Sequence, residues 1–357
     1  MCQRDPVQCI IPPYITEQLL RSVDPRVRAH AAANVRASAN MRAARVLMRA
    51  TPSLVPKRMP AGGKHRRVCD AKNTDRLPGV LVRSEGQGPV ADPAVNEAFD
   101  HAGATYDFYD TVFKRDSLDG DGMTLVSTVH LAESDGSGEF IPLDNAFWDG
   151  KQMAYGDGDD IIFRRFTSSL DVVGHELTHG VQSFTSDLEY EGQSGALNEH
   201  FADVFGVLVR QWKNGEQASK ADWLIGREVL VPAATRRAVR DMEHPGTAFT
   251  NDPYLGTDPQ PRHMSKLYEG HSDNGGVHIN SGILNRAFVL AAQALGGNAW
   301  ETAGRIWYDT MLRLPKRCDF QDCAALCVQA ATERGADTAR AVSRAWMSVG
   351  VATKVYA

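Results

Sequence analysis

Residues 171–179 read Asp171-Val172-Val173-Gly174-His175-Glu176-Leu177-Thr178-His179. On a helix, two histidines four apart share one face, one turn above the other. Imidazole suits zinc, so the pair can hold an ion at ~2.0–2.1 Å. Glu176 follows the first histidine directly, where its carboxylate can lean over the metal rather than bind it. In this pattern the metal acidifies a water and the glutamate takes the proton, which is the chemistry of peptide hydrolysis. The competing reading is a surface helix that happens to contain the triplet.

Two histidines leave a tetrahedral catalytic site one protein ligand short, with water in the fourth position. Downstream, Ser194 is a plausible helix N-cap, and apolar spacing from Leu197 to Val209 predicts a second helix. Glu199 and Asp203 fall on one face of it. One carboxylate can bind the metal while the other orients a ligand histidine from behind. A solvated acidic face is the alternative.

Taken together these stretches resemble the thermolysin family of zinc endopeptidases, and most its protealysin-like branch. Thermolysin is itself a standard example of a two-His, one-Glu catalytic zinc site, so the ligand set is carried over from the family and not deduced. The family places the ligand glutamate twenty residues past the second histidine, which selects Glu199. It also expects a tyrosine, found as Tyr190, a strand Asn145-Ala146-Phe147-Trp148, and a late run Asp273-Asn274-Gly275-Gly276-Val277-His278. The similarity runs from about Leu77 to Val351, with the motifs in family order.

The chain has 357 residues, 43% hydrophobic and 23% charged, ordinary values for a globular protein with room for two domains. No run approaches the ~18 apolar residues of a membrane span, and the N-terminus lacks the apolar core of a secretory signal. A cytoplasmic precursor, or one exported by a non-classical route, is expected. The six cysteines match no zinc spacing, and no disulfide framework is expected.

Residues 1–67 hold 13 Lys and Arg against 3 Asp and Glu, in a chain whose overall charge is −5. A basic arm can bind nucleic acid, but no stacking aromatics sit among the arginines of the helical stretch Arg21 to Arg49. A pro-segment docking on an acidic body is the better reading. The protealysin-like branch carries a short propeptide with an Ile-Pro-Pro-Tyr element, matched by Ile11-Pro12-Pro13-Tyr14. Its prolines predict an extended segment suited to lying along a cleft uncleaved. Cys9 beside it is either a thiolate cap on the zinc or a passive thiol.

The resemblance implies an α+β, two-lobed zincin. Residues 1–58 form propeptide and linker, 59–190 a β-rich catalytic domain, and 191–357 a helical domain, with the zinc cleft between the lobes. From Val80 to Val129 β-branched runs alternate with turns around a helix at Pro93 to Phe113, and Ser134 to Phe140 reads as a loop insertion. Helical periodicity marks Ser281 to Leu295, Trp300 to Leu314, Phe320 to Arg334 and Thr338 to Val349.

The resemblance also assigns roles. His175, His179 and Glu199 hold one zinc, Glu176 is the general base, and Tyr190 and His278 stabilise the developing oxyanion, with Asp273 fixing His278 and Asp203 holding His175. Substrate backbone adds to the Asn145 and Ala146 strand, and Arg240 holds the carbonyl on the leaving side. Phe163, Phe166, Val172, Ile225, Val229 and Val239 line an apolar pocket, favouring cleavage before Leu, Ile, Phe or Val. The double calcium site of well-known relatives is expected to be absent. Of its acids Asp171 and Asp222 survive, while the others have become Arg210, Leu224 and Arg227.

The expected partners are peptide or protein substrates and the chain's own propeptide, acting as an intramolecular inhibitor, in a monomer that binds neither nucleic acid nor membrane. A proteinaceous inhibitor stays open. A zinc aminopeptidase would need an acidic anchor strand, and Asn145-Ala146-Phe147-Trp148 stands in its place. A catalytically inactive binding protein would not require Glu176, Tyr190 and His278 together.

Overall fold

A computed structural model describes residues 8–50 and 63–353. The expected maturation linker, Thr51–Ala61, lies outside them. Contacts divide the chain into two compact units.

The first unit runs to Gly180 and includes Glu228–Pro232 and Pro253–Leu255. It opens with strand β1 (Gln8–Cys9) and helices α1 (Pro13–Leu19) and α2 (Pro25–Ala50). The two prolines behave differently. Pro12 is extended at φ −63°, ψ 149°, but Pro13 starts α1. A proline costs nothing at a helix's first position, where its missing N–H would have had no partner in the helix. The extended segment therefore ends at Pro12.

Next come β2 (Arg66–Thr74), β3 (Val80–Ser84) and α3 (Pro93–Phe113). α3 starts at Pro93, where the sequence places it, and Asp92 ahead of it caps the Ala94 N–H. Strands β4 (Leu125–Ser134), β5 (Phe140–Pro142), β6 (Ala146–Trp148) and β7 (Met153–Tyr155) complete the sheet, and α4 (Leu170–Ser183) follows. The order is β1-β6-β7-β4-β2-β3, with β5 off β4. β4 is parallel to β2 and β7, while β1–β6, β6–β7, β2–β3 and β4–β5 are antiparallel. Eight of the ten β4 residues are apolar or β-branched or small, and the strand is mostly buried, as a central strand with parallel neighbours should be. The expected insertion after Ser134 is the turn of the β4–β5 hairpin, closed by Asp135 N–H to Glu139 O at 2.9 Å.

The second unit is helical. It contains α5 (Gly192–Asn214), the short pair β8 (Leu224–Ile225) and β9 (Arg240–Asp241), and α6 (Ser272–Leu295), α7 (Ala303–Arg313), α8 (Phe320–Thr332) and α9 (Ala336–Ser348). Buried α5 packs against α6, α7 and α8. α6 begins earlier than its apolar periodicity suggests. Asp273, Asn274, Gly275 and Gly276 all have φ between 50° and 80°, a left-handed turn ahead of the regular helix. The two glycines ease that geometry, and Asn280 pins it by exchanging hydrogen bonds with the backbone of Tyr268 at 2.9 and 3.0 Å. Among the described residues no helix is long and apolar enough to cross a membrane.

Candidate metal and catalytic centre

Helix α4 buries Val172, Val173, Leu177 and Val181 and, unusually, its polar face as well. Thr178 Oγ1 donates to Gly174 O at 2.7 Å and lies 2.8 Å from Tyr109 Oη, which ties α4 to α3. Gly180 is needed for close approach, since a Cβ there would come within 2.7 Å of Leu118. On the held face, the His175 and His179 rings meet edge to face at 4.7 Å with their Nε2 atoms 3.1 Å apart. Two nitrogens so placed cannot both carry protons.

The donor atoms of His175, His179 and Glu199 all lie within 4.8 Å of one another, the one such group found among the described residues. A tetrahedral zinc with bonds of ~2.0–2.1 Å spaces its ligand atoms roughly 3.3 Å apart. The two imidazole nitrogens at 3.1 Å match that spacing, and with a carboxylate they make a donor set whose chemistry suits zinc.

Glu176 sits between the two histidines in sequence, fully buried, and its Oε2 accepts the Trp148 N–H at 3.1 Å. Strand β6 thus touches the candidate base directly. The edge of β6 away from β7, toward which the Trp148 N–H also points, carries β1, in the register Gln8 to Trp148 and Cys9 to Phe147. Beyond β1, Ile10 N–H donates to Ala146 O at 3.4 Å and Ile11 N–H to Asn145 Oδ1 at 3.1 Å. Asn145 and Ala146, expected to bind substrate backbone, here bind the chain's own N-terminal segment. The side chain of Cys9 lies in an apolar cluster with Ala33, Ala37, Leu131, Leu143, Phe147 and Ala154, its Sγ donating to Ile11 O at 3.4 Å. The passive reading of Cys9 fits that surrounding.

Helix α2 adds polar ties that the sequence did not advertise. Asn34 exchanges hydrogen bonds with the Asp144 backbone at 3.0 and 3.4 Å, and His30 Nδ1 approaches Asp144 Oδ1 at 3.3 Å. Arg36 donates to Ser134 O and Asn40 to the Glu133 carboxylate. Burial pushes the Asp144 carboxyl up to about 7, with Asp159 adding to the rise and His30 opposing it. Burial works against the His30 charge, but Asp144 and Asp159 outweigh it and raise its pKa.

In the second unit Tyr190 Oη donates to Glu199 and lies 3.1 Å from His278 Nε2. Asp273 holds His278 by its ring Nδ1 at 2.6 Å and by its backbone N–H at 2.8 Å. The left-handed turn is what brings a carboxylate five residues upstream onto that ring. Burial disfavours charge on His278, but Glu199 and Asp273 outweigh it and hold the pKa up to about 9.

Arg240 on β9 is buried and meets Asp203 with both prongs of its fork, Nε to Oδ2 at 2.8 Å and Nη2 to Oδ1 at 2.7 Å. Asp203 Oδ2 also accepts from Asn285 Nδ2 at 2.9 Å. Behind them Asn285 Oδ1 lies 2.8 Å from His200 Nδ1, and Trp307 Nε1 donates to His200 Nε2 at 2.8 Å. Burial pushes His200 down to about 4, so its ring is neutral. Sequence reasoning missed this set, although a His and an Asn inside otherwise apolar helical stretches were a signal. Of the expected pocket residues, Phe163, Phe166, Val172 and Val229 are buried in the first unit, and Ile225 and Val239 in the second.

Arg227 pairs with Asp222 at 2.7 Å, and Arg210 donates to the carbonyls of Leu224 and Asp222. Asp171 accepts from Ser169 Oγ at 2.6 Å.

Comparison with known proteins agrees with this geometry. Residues 61–183 match the thermolysin metallopeptidase catalytic domain, and residues 186–351 the thermolysin metallopeptidase alpha-helical domain. An extracellular metalloprotease of Pectobacterium carotovorum subsp. carotovorum is 45% identical over 97% of each chain. Protease PrtS of Photorhabdus is 47% identical over 81% of this chain and 77% of its own. The precursor of protealysin, a metalloproteinase from Serratia proteamaculans, superposes with a TM-score of 0.85 at 44% identity, covering 97% of this chain and all of that one. The chain belongs to the thermolysin family of metalloproteases, as a protealysin-like member.

Proposed function

We propose that this metalloprotease is a zinc endopeptidase made as a self-processed precursor and cleaving on the amino side of bulky apolar residues. The observation that carries this reading is the antiparallel seat of Gln8–Ile11 along Asn145–Trp148, one hydrogen bond from Glu176. A strand that can be extended by a peptide backbone accepts many sequences, because the main chain supplies the affinity. An edge occupied by the chain's own basic segment is a blocked substrate site. By this reading residues 1–58 are an inhibitory propeptide and linker, 59–190 the catalytic domain and 191–357 the helical domain.

His175, His179 and Glu199 would hold the zinc, which when bound polarises the scissile carbonyl and lowers the pKa of a water. Glu176, oriented by the Trp148 N–H, takes the proton of the attacking water and later passes it to the leaving amine. Asp203 would orient His175. His278 and Tyr190 donate to the oxygen on which charge develops, and Asp273 keeps His278 turned toward it. Arg240, gripped by Asp203, presents its guanidinium to the carbonyl on the leaving side. An apolar side chain just after the scissile bond would enter the pocket of Phe163, Phe166, Val172, Ile225, Val229 and Val239, gaining ~25 cal/mol for each Å² removed from water.

The test is casein digestion by the matured protein with and without a chelator, beside the Glu176→Gln precursor. We expect that variant to bind zinc, digest nothing and keep its N-terminus. N-terminal sequencing of the parental protein should place self-cleavage before Leu54, Val55 or Met59. Digestion at the parental rate by Glu176→Gln would refute the mechanism, and trimming of that variant at the same bond would refute self-processing.

A further inference from the structure

We propose that Trp307, His200 and Asn285 are positioning residues that set the orientation of Asp203 and, through it, of Arg240. The inference rests on the reading of Arg240 as the group that holds the substrate's leaving-side carbonyl.

The argument is one of hydrogen-bond direction. An indole N–H can only donate. Trp307 Nε1 lies 2.8 Å from His200 Nε2, so that nitrogen must accept, and the neutral ring carries its proton on Nδ1. His200 Nδ1 then donates to Asn285 Oδ1 at 2.8 Å. With its oxygen so engaged, the amide turns Nδ2 toward Asp203 and donates to Oδ2 at 2.9 Å. Asp203 is left with its two oxygens aligned for the fork of Arg240.

Reversing any member propagates along the line. A proton on His200 Nε2 would face the indole N–H, the Asn285 amide would flip, and its carbonyl would oppose the Asp203 carboxylate. All five residues are buried, so no water relieves such a mismatch, and an unpaired buried polar atom is costly. The first member is rigid. Trp307 is stacked on Trp346 at 6.0 Å and 6°, and Phe288 meets it edge-on at 5.0 Å. Four elements of the second unit (α5, α6, α7 and β9) thus converge on one guanidinium.

The experiment compares full-length, self-matured enzyme with Trp307→Phe, His200→Asn, His200→Leu and Arg240→Lys, using a peptide substrate extended on the leaving side. Trp307→Phe keeps an aromatic ring and loses the N–H. We expect KM to rise about three- to tenfold, by more than kcat falls. The rise in KM reports the weakened grip of Arg240, and the fall in kcat the part of the shift that Asp203 passes to His175. The histidine pair separates positioning from packing. The Asn side-chain nitrogen falls near the place of His Nδ1 and restores the donor to Asn285, whereas Leu fills more of the volume and donates nothing. Positioning predicts that His200→Asn has the lower KM even where His200→Leu has the higher melting temperature.

Equal KM values for the two His200 variants, or the lower value for His200→Leu, would overturn the proposal. So would a parental KM in Trp307→Phe. If Arg240→Lys itself leaves KM unchanged, the carbonyl-holding role falls and takes this proposal with it. A raised KM in Arg240→Lys beside parental values in the other variants removes only the positioning role.

Discussion

Raising the pH should loosen the N-terminal segment from the catalytic body, and Asp144 sets the size of the effect. Its carboxyl is fully enclosed, burial holds it up to about 7 from an ordinary 3.8, and the segment supplies part of that enclosure where His30 and Asn34 lie against it. The sign follows from linkage. A carboxyl raised on binding favours the complex at low pH, and that advantage is lost as pH climbs from about 4 through 7. His30, raised by the same contact, acts in the same direction, since its contribution is complete below 6.5 and lost as pH passes its raised value. The whole rise from 3.8 to about 7 corresponds to roughly 4 kcal/mol, which is the upper bound on the share the segment contributes. Between pH 5 and pH 8 that amounts to an affinity loss on the order of tenfold to a hundredfold. The assay is inhibition of matured enzyme by a synthetic peptide of residues 1–50, with parental and Asp144→Asn enzyme compared at each pH. The ratio of inhibition constants cancels the pH dependence of catalysis. Asp144→Asn should flatten the profile to within about threefold, since the groups then left to titrate at the contact are Glu133, which meets Asn40, and a His30 that has lost its chief charge partner. A flat parental profile, or an equal slope in Asp144→Asn, would refute the reasoning.

Three further outcomes are expected. His278→Ala should lower kcat by roughly 10²–10³ while circular dichroism reports an intact fold, because one oxyanion donor is lost. Calcium at millimolar levels should leave the melting temperature unchanged, since Arg227 already neutralises Asp222 and Arg210 spans the neighbouring carbonyls; a rise of several degrees would contradict this. His130 is clamped between Asp157 and Asp92 at 2.7 Å each, and Asp157 foremost holds its pKa up to about 9. Its stabilisation, about 1–2 kcal/mol after allowance for partial exposure, is complete below pH 6.5 and lost as pH rises through 9. The melting temperature should fall across that window, and less steeply in His130→Asn.

What could be read from the chain depended on sequence distance. The His175–His179 pair and the helix start at Pro93 are local patterns, where spacing alone says what faces what, whereas Asp171 and Asp222 stand out only through the family resemblance. The third ligand needed the family resemblance, because helical spacing could not choose between Glu199 and Asp203. The partners of Asp203 were hidden for a different reason. Asn285 lies 82 residues away and Trp307 is 107 from His200, and such pairings exist only after helices pack. The start of α6 was missed because Asp273–Gly276 breaks helical periodicity with four left-handed residues. The same turn creates the Asp273–His278 contact, so the segment least regular in pattern carries one of the most specific contacts. The Ile11–Tyr14 element was read as wholly extended because proline favours both extended chain and a helix's first turn, and only the neighbours of Pro13 decide between them.

Strand β1 is two residues long, yet it closes one side of a sheet. Without it β6 becomes the border strand, with a row of backbone donors and acceptors facing outward. Such borders recruit any extended chain, including another copy of the same protein, and natural sheets usually blunt or cover them. An enzyme that grips its substrate by strand addition cannot blunt this one without losing its activity. On the proposed reading the solution is temporal: the border stays capped through synthesis and folding, when unfolded neighbours are most abundant, and is uncovered last. Solubility of the young chain and restraint of its catalysis then depend on the same few hydrogen bonds, so a variant weakened at Ile10 or Ile11 should clump as well as activate early.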